Sequence, residues 1–456
     1  MTPRQSILIA VAAALTVMTA GCGHDTADLG PAPGNPDPTV FLDNYGEGVG
    51  YQAFSGSKVT AVSVDGTQRH QGTASLRVSV PGPGDPAGSY AGGAFTTVHA
   101  RDPSGYNALT FWAKASRVAT LDVAGLGNDN TGTSKYEAKW SAIPLTTTWT
   151  KYTIPIPLTG KVHAERGMFF FAEGPEAGSG CTLWFDDIMF ENVDTISNPR
   201  PGLATRTIGA FVGAALAVPG TSTTFEVGGA NQIIQHSPAY FTFASTDSAV
   251  AQANDGILRV LAPGRTEITG SLGSVNAIGV LTVNASALPP TAAPVPTLLP
   301  AADVISLFSN AYPNVPVDTW SPTWDRADVA DVQIDGNDTK AYTNFEYAII
   351  EFASQPIDAT AMTHLHLDVW AARGAAIFWV KLVDFGADGV YGGGDDREQE
   401  VGFNGGTTPA FRGETWSDLE IPLTSFAGLA TREHVAQLII RGDVTTVYLD
   451  NVYFHR

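Results

Sequence analysis

Three short segments in the last third of the chain alternate apolar and polar residues, as a β-strand with one buried face does. If Leu367, Phe378 and Ile440 point to the core, the positions between the apolar ones point the other way. Those outward positions are His364, His366, Trp370, Trp379, Lys381, Gln437 and Arg441. Flat rings can stack on sugars, and polar groups beside them can bond several hydroxyls. We therefore expect one sugar-binding face if these strands are neighbours; alternatively, the two indoles cover the sheet beneath a loop.

A sparser version of this pattern occurs nearer the N-terminus. With Leu109 and Phe111 pointing inward, Trp112 and Lys114 point outward and are candidate ligand-binding residues. Two further aromatic pairs are Tyr136 with Trp140, and Trp149 with Trp416. The first pair fits either a groove or the core. The second pair holds matching positions in two similar segments, so we interpret it as structural and leave it out of the site.

The run His364-x-His366-x-Asp368 also has the spacing of a metal site, because residues i, i+2 and i+4 of a strand project side by side. Two imidazoles and a carboxylate suit zinc. The sequence places no further cluster of His, Cys or Glu residues to complete the coordination. We therefore do not assign catalytic zinc from the sequence.

A glycine-rich stretch gathers four carboxylates, from Asp384, Asp388, Asp395 and Asp396. Calcium takes oxygen ligands, and glycines let a chain fold tightly around such a cation. The spacing is not that of an EF-hand loop, and a long acidic hairpin would explain the same residues. We expect a structural calcium ion here, with the plain hairpin as the alternative.

Catalytic patterns are missing from the sequence. Glycoside hydrolysis needs two carboxylates facing each other across a cleft, whereas Asp186 with Asp187 and Glu173 with Glu176 are near neighbours along the chain. The chain has neither a Gly-x-Ser-x-Gly elbow nor a phosphate-binding glycine loop. We therefore expect a binding protein rather than an enzyme.

The first residues have the pattern of an export signal: Arg4, an apolar run over 7–17, and small residues before Cys22. Because the segment ends on a cysteine, it resembles a bacterial lipoprotein signal, which implies removal of residues 1–21 and a lipid on Cys22. The alternative is cleavage near Ala20 and release of a soluble protein. We expect an exported protein that the lipid anchors to a membrane of the cell envelope, at the outer membrane or cell surface. Residues 22–38, rich in Gly, Pro and Asp, are expected to form a flexible tether.

Composition narrows the class of protein further. The formal net charge is −20, which makes nucleic acid an improbable partner. The 48 glycines and 29 prolines, with many short runs of Thr and Val and almost no helical periodicity, predict all-β structure with frequent turns. With 456 residues the chain is long enough for three domains, and we expect it to be a monomer.

Proline-rich seams over 197–202 and 288–300 separate blocks 39–194, 203–285 and 303–456, and we interpret 286–302 as an extended linker. The outer blocks repeat three patterns in one order. These are Leu109-Thr-Phe-Trp112 with Leu367-Asp-Val-Trp370, Trp149…Ile154-Pro155 with Trp416…Ile421-Pro422, and Leu183-Trp-Phe-Asp186 with Val447-Tyr-Leu-Asp450. The outer blocks are therefore expected to share one fold and one strand order. We interpret the middle block as a spacer with few contacts to either neighbour.

Several local motifs carry resemblances to known families. The first block contains Gly72-Thr-Ala-Ser75-Leu76, Phe111-Trp112-Ala-Lys114 and Trp184-Phe-Asp186-Asp-Ile, and it resembles the galactose-binding-like jelly roll of bacterial carbohydrate-binding modules. The last block, with Thr319-Trp-Ser-Pro-Thr-Trp324 and Gln437-Leu-Ile-Ile440, resembles modules of secreted glycan-degrading enzymes but lacks the Gly-x-x-Ser-Leu strand. The middle block, with Asp255-Gly256-Ile-Leu and Ala262-Pro-Gly264, resembles the group-2 bacterial immunoglobulin-like domain.

The resemblance to carbohydrate-binding modules implies a structural calcium ion held by an aspartate of the closing strand and by groups of the N-terminal strands. The matching positions are Asp186, Asp450, Asp43 and Asp65. The expectation is an all-β chain of two jelly-roll sandwiches separated by an immunoglobulin-like sandwich, which binds polysaccharide without cleaving it. The alternatives are an adhesion or scaffold protein with protein or matrix partners, and a glycan-active hydrolase.

Overall fold

The computed structural model describes residues 35–372 and 376–456. Regular structure in these two ranges is β-strand apart from short 3₁₀ turns at Pro103–Gly105, Thr159–Lys161, Pro238–Tyr240, Ala301–Asp303 and Leu423–Ser425, which confirms the all-β prediction. No helix within the same ranges is long and apolar enough to cross a bilayer. The predicted signal over 1–21, the lipidation of Cys22 and the tether as far as residue 34 lie outside the described residues.

The first block is a sandwich of two sheets. Its strands are β1 (Thr39–Phe41), β2 (Val49–Ala53), β3 (Val62–Asp65), β4 (Ser75–Ser79), β5 (Ala91–Arg101), β6 (Ala108–Ala115), β7 (Ala119–Leu126), β8 (Ala138–Leu145), β9 (Thr150–Pro155), β10 (Glu165–Glu173) and β11 (Thr182–Glu191). One sheet has the order β3-β4-β11-β6-β9, with β1 on β11, and the other contains β8-β7-β10-β5-β2. Alternate residues of both sheets meet in an aromatic core that includes Phe95, Phe111, Phe169 and Phe185.

The last block repeats this arrangement. Its strands are β23 (Val304–Phe308), β24 (Arg326–Ile334), β25 (Asn337–Glu351), β26 (His364–Ala371), β27 (Ile377–Asp384), β28 (Arg397–Asn404), β29 (Ser417–Pro422), β30 (Val435–Gly442) and β31 (Thr446–His455). The neighbours run β24-β25-β31-β26-β29 in one layer and β28-β27-β30-β25 in the other. This is the strand order of the first block without a counterpart of β2, so the two blocks share one order as the internal repeat predicts.

The long strand β25 belongs to both layers of the last block. Its first half, Lys340 to Thr343, pairs with β31, and its second half, Tyr347 to Glu351, pairs with β30. Asn344 lies between the halves with a φ of +50°, a left-handed conformation that asparagine tolerates better than most residues. In the first block the separate strands β4 and β5 fill these two places, so the first half of β25 stands where the first block has its Gly-x-x-Ser-Leu strand.

The middle block has a small core of its own. Its strands are β12 (Ile196–Leu203), β13 (Arg206–Phe211), β14 (Ala215–Ala217), β15 (Thr221–Val227), β16 (Ala230–His236), β17 (Thr242–Ser245), β18 (Ala251–Asn254), β19 (Ile257–Val260), β20 (Gly264–Leu272), β21 (Val275–Asn276) and β22 (Leu281–Ser286). A sheet β13-β22-β20-β17 and a sheet β14-β19-β18 enclose residues such as Ile208, Leu258 and Val283. Its membership of the immunoglobulin-like group stays a prediction.

The middle block is not an isolated spacer, so the prediction of few contacts is wrong. Strand β16 pairs with β8, where Gln235 lies opposite Lys139, and β12, β15 and β16 thereby extend one sheet of the first block. The hydroxyl of Tyr240 also donates to the backbone oxygen of Tyr136 at 2.8 Å. The seam over 197–202 is part of β12. Its prolines are tolerated there because β12 is an edge strand of the sheet.

The second seam is also packed rather than free. The indole nitrogen of Trp416 donates to the oxygen of Thr291 at 2.9 Å, and the side-chain amide of Asn451 donates to the oxygen of Pro294 at 3.0 Å. The hydroxyl of Tyr312 donates to the oxygen of Thr297 at 3.2 Å. Residues 288–299 therefore lie across the outer side of the β31-β26-β29 layer as a covering segment, which we call the proline segment.

Candidate functional site

The seven residues predicted to share one face lie on opposite outer faces of the last block. The inner faces of β26 and β27 meet in the same core, so their outward residues point away from each other. Strands β26 and β27 are not neighbours, because β25 passes from one layer to the other between them. We call the outer side of β27, β28 and β30 the arginine face, and that of β26, β29 and β31 the histidine face.

The arginine face carries the partly exposed indole of Trp379. The guanidinium carbon of Arg441 lies 3.8 Å from the centre of a Trp379 ring, which is a cation–π contact. Nε and Nη2 of Arg441 donate to the two carboxylate oxygens of Glu400 at 2.7 and 2.5 Å. This pair lowers the pKa of Glu400. Gly402 lies opposite Trp379 on β28, and a Cβ there would be 2.9 Å from the indole nitrogen, so glycine leaves room for the ring.

Other residues extend the arginine face along neighbouring strands. Lys381 pairs with Glu398 at 2.6 Å, and Tyr347 of β25 lies beside Arg441. Trp324, 59% exposed, follows at the edge, and its backbone oxygen is 3.5 Å from the Tyr347 hydroxyl. Gln437, by contrast, is only 6% exposed and is poorly available to a ligand. The sequence shows Trp324 only as the end of a family motif. Neither Trp324 nor Tyr347 is among the site residues that the strand phases predict.

Trp370 is not exposed, contrary to the prediction. It points away from the core, as the strand phase requires, but it is only 5% exposed. Leu288 and Ala292 of the proline segment and Trp416 pack against its cluster. The indole nitrogen of Trp370 has no hydrogen-bond partner among the described residues. The alternative of a covered indole therefore applies to Trp370 and not to Trp379.

The histidine face gathers imidazoles and carboxylates under the proline segment. Nδ1 of His366 lies 2.9 Å from Oε2 of Glu420, and Nε2 of His455 lies 2.5 Å from Oε1 of the same carboxylate. Burial would lower the pKa of His366, but the carboxylates of Asp368 and Glu420 outweigh it and raise this pKa to about 9. A cleft of about 310 Å³ lies between these side chains and Pro294 to Leu299. His364 stacks on His455, with ring centres 5.3 Å apart.

The first block carries three indoles on the outer side of its β4-β11-β6-β9 sheet, which we call the tryptophan face. Lys114 extends its ammonium over both Trp149 and Trp184, 5.4 and 5.0 Å from their ring centres. Trp112 stacks on His70 with centres 3.7 Å apart and planes 15° apart. All five side chains are partly exposed. Trp112 and Lys114 are therefore outward, as the strand phase predicted.

Polar groups surround the tryptophan face. The Lys114 ammonium donates to Oε1 of Gln68 at 2.6 Å, and the indole nitrogen of Trp184 donates to Asp65 at 2.9 Å. Hydrogen bonds from Thr67 and Trp184 lower the pKa of Asp65. Such a row of amide, carboxylate and ammonium groups beside flat rings suits a ligand with many hydroxyls.

Equivalent tryptophans of the repeat have different surroundings. Trp149 lies on the open tryptophan face, whereas Trp416 donates to Thr291 beneath the proline segment. The prediction that both tryptophans are structural therefore holds for Trp416 and not for Trp149. Tyr136 packs edge-on against Tyr240, and Trp140 lies 6.1 Å from Tyr152, so that pair borders the core.

Comparison of the chain with protein-family models and with curated protein sequences gives no match. Some solved structures are similar. A family 30 carbohydrate-binding module is 21% identical, with a TM-score of 0.27 over 35% of this chain and 88% of that one. A family 11 carbohydrate-binding module of a cellulosomal cellulase from Clostridium thermocellum is 13% identical, with a TM-score of 0.24 over 33% and 94%. A β-1,2-glucanase from Parabacteroides distasonis is 11% identical, with a TM-score of 0.24 over 56% and 40%.

The aspartates assigned to calcium by resemblance bind backbone amides in this structure. Asp43 accepts from the amides of Thr73 and Ala74, and Asp186 accepts from the amide of His70 at 2.7 Å. Burial raises the pKa of Asp186 and raises that of Asp450 to about 6. Among the described residues, no three of the eight predicted calcium ligands bring their oxygens within 4.8 Å of one another.

The acidic stretch folds as a tight loop between β27 and β28. Asp384 accepts from the amides of Gly386 and His434 at 2.9 and 3.1 Å, and Asp388 accepts from that of Val390. One oxygen of Asp395 bonds the amide of Ala387, and one oxygen of Asp396 bonds that of Gly392, both at 2.8 Å. The other oxygen of each is buried without a hydrogen-bond partner. Those two oxygens are the ones a cation would take.

Proposed function

We propose that this chain binds polysaccharide without cleaving it, through the tryptophan face of the first block and the arginine face of the last. The observation that carries the proposal is the group of three partly exposed indoles on the tryptophan face, two of which lie beneath the Lys114 ammonium. The two faces of a pyranose ring are apolar while its edge carries hydroxyls, so flat rings flanked by polar groups match both surfaces. We further propose that the protein acts as an exported monomer held at the cell envelope by a lipid on Cys22.

The carboxylates of the sequence pairs and of the arginine face favour binding over catalysis. Asp186, at 1% exposure, is held by backbone amides, and Glu173 is fully buried, which raises its pKa to about 8. On the arginine face, Glu398 and Glu400 pair with Lys381 and Arg441. Glycoside hydrolysis instead requires two available carboxyl groups that face each other across a cleft.

Single substitutions on the two faces test the proposal. We expect Trp184→Ala to weaken binding to insoluble β-glucan, chitin or xylan about tenfold or more in a depletion assay, roughly 1.4 kcal/mol. Trp379→Ala tests the other face in the same assay. Tyr391→Ala is the matched control, because Tyr391 is a 63% exposed aromatic outside both faces.

Two results would contradict the proposal. One is a wild-type chain that binds none of the three polysaccharides but adheres to collagen-coated or fibronectin-coated surfaces, which would support the adhesion alternative. The other is full polysaccharide binding by a variant that combines the substitutions on both faces.

We also propose structural calcium in the loop from Asp384 to Asp396. The two unpartnered buried oxygens of Asp395 and Asp396 support it, since calcium prefers oxygen ligands. A cation that binds only the folded loop stabilises it by mass action. Melting temperatures with calcium and with chelator, compared for the wild type and Asp395→Asn, provide the test. If chelator lowers the melting temperature of the wild type and of Asp395→Asn equally, this loop does not hold the calcium.

A further inference from the structure

The cluster on the histidine face is assembled by strand register. His364 lies opposite His455 across β26 and β31, and His366 lies opposite Glu420 across β26 and β29. Alternation along each strand directs these side chains away from the core. Three strands thus deliver imidazoles and a carboxylate to one spot, which the sequence of β26 alone does not reveal.

Two trios of ligand atoms occur in this cluster. One ligand atom from each of His364, Glu420 and His455 lies within 4.8 Å of the other two, and the same is true of His366, Asp418 and Glu420. Zinc holds its nitrogen and oxygen ligands at about 2.0–2.2 Å, which puts tetrahedral ligands about 3.4 Å apart. The side chains of either trio would therefore have to rotate inward to close around an ion.

The cleft beside this cluster is acidic and contains ring nitrogens without hydrogen-bond partners. The cleft beneath the proline segment is lined by Asp368, Asp418 and Glu420, and its described lining includes neither Lys nor Arg. His366 is only 6% exposed, and its Nε2 has no hydrogen-bond partner, with Asp368 the nearest carboxylate at 3.5 Å. A buried ring nitrogen of His455 is also without a partner. Buried polar atoms of this kind are rare in folded proteins unless a ligand satisfies them.

We propose that His364, His455 and Glu420 bind one divalent transition-metal ion of the zinc type. Two imidazoles and one carboxylate are a donor set that zinc favours, whereas calcium and magnesium prefer oxygen ligands only. His366 holds the second oxygen of Glu420 and so orients that ligand, as residues behind metal ligands commonly do. The proline segment lies along the cleft that Glu420 and His455 line.

The test is zinc binding by the full chain carrying no polyhistidine tag and stripped of metal beforehand. We expect titration calorimetry with zinc chloride to show one site per chain, and cobalt to bind there with visible absorption bands. His455→Gln and Glu420→Gln should each weaken zinc binding by tenfold or more. His163→Gln is the control, since this histidine of the first block has a 65% exposed side chain and should leave zinc binding unchanged.

Zinc should also raise the melting temperature of the wild type and not that of Glu420→Gln, because an ion that binds only the folded state stabilises it. If Glu420→Gln does not fold, His364→Gln is used in this experiment instead, since His364 is half-buried at the start of β26. A wild type that takes up no zinc would overturn the proposal. So would equal zinc affinity in the wild type and in the ligand variants.

Discussion

The arginine face and the histidine face belong to one sandwich and carry similar residue types, yet they differ in what lies on them. Trp379 is partly exposed, with a guanidinium stacked on it, whereas Trp370 is 5% exposed beneath the proline segment. Both indoles are outward by strand phase. Alternation therefore decides which side of a sheet a residue occupies, while a distant segment decides whether that side faces water.

The largest expected effect concerns the covered indole. Trp370→Ala should lower the free energy of unfolding by about 3–5 kcal/mol, because it removes a buried ring and leaves a cavity beneath the proline segment. Urea unfolding of the variant measures this. A loss below about 1 kcal/mol would mean that the proline segment does not cover Trp370 in solution, and the contrast between the two faces would disappear.

The next effect concerns Asn451, whose side chain holds the proline segment in place. The Asn451 amide donates to Pro294 and, at 2.8 Å, to Asp368. Asn451→Gly should cost about 1–3 kcal/mol, because the buried Asp368 loses a partner. Asn451→Ala should cost more, since the φ of +48° at this position strains alanine and not glycine. Equal thermal stability of the wild type and the glycine variant would show that this anchor contributes nothing.

A smaller change in stability is expected on the open face. Trp379→Ala should cost only about 1 kcal/mol, chiefly from the lost cation–π contact with Arg441. Trp379→Phe keeps a ring and should retain most of the stability and of the polysaccharide binding. A cost as large as that of Trp370→Ala would show that the arginine face is also buried in solution.

The smallest effect concerns the ion pair on the open face. Glu400→Gln should cost about 0.5 kcal/mol, because the pair with Arg441 is half-exposed. Since the folded state lowers the pKa of Glu400, the advantage of the wild type is complete above the ordinary pKa of glutamate. It disappears as the pH falls through the lower pKa of the folded state. A difference in melting temperature that persists in stronger acid would contradict this assignment.

That the two outer sandwiches share one strand order could be predicted, because repeated local patterns indicate it. The pairs Trp112 and Trp370, Ile154 and Ile421, and Asp186 and Asp450 recur with the same alternation, and each lies in an equivalent strand. Phase also placed Trp112, Lys114 and Trp379 outward. Alternation and strand phase are properties of short segments, so they can be read from the sequence alone.

Which outward residues of the last block share a face could not be predicted in the same way. Whether β26 and β27 are neighbours depends on the turn at Asn344, which sends β25 from one layer to the other. The ligands Glu420 and His455 join His364 only through pairing between strands far apart in sequence. The proline content of 288–299 indicates an extended chain, but not the surface on which that chain lies.

The pairing of β16 with β8 makes one continuous eight-stranded sheet of two blocks. A hinge needs a stretch of backbone free to change its dihedral angles, and the first seam is instead hydrogen-bonded into β12. The tryptophan face is therefore fixed in orientation relative to the middle block. If both proposed faces engage one polymer, the gain from bivalency depends on whether the repeat of that polymer matches a set spacing, since a stiff connection cannot adjust to a mismatch. Preference among polysaccharides would then arise from the distance between the two faces as well as from the residues on them.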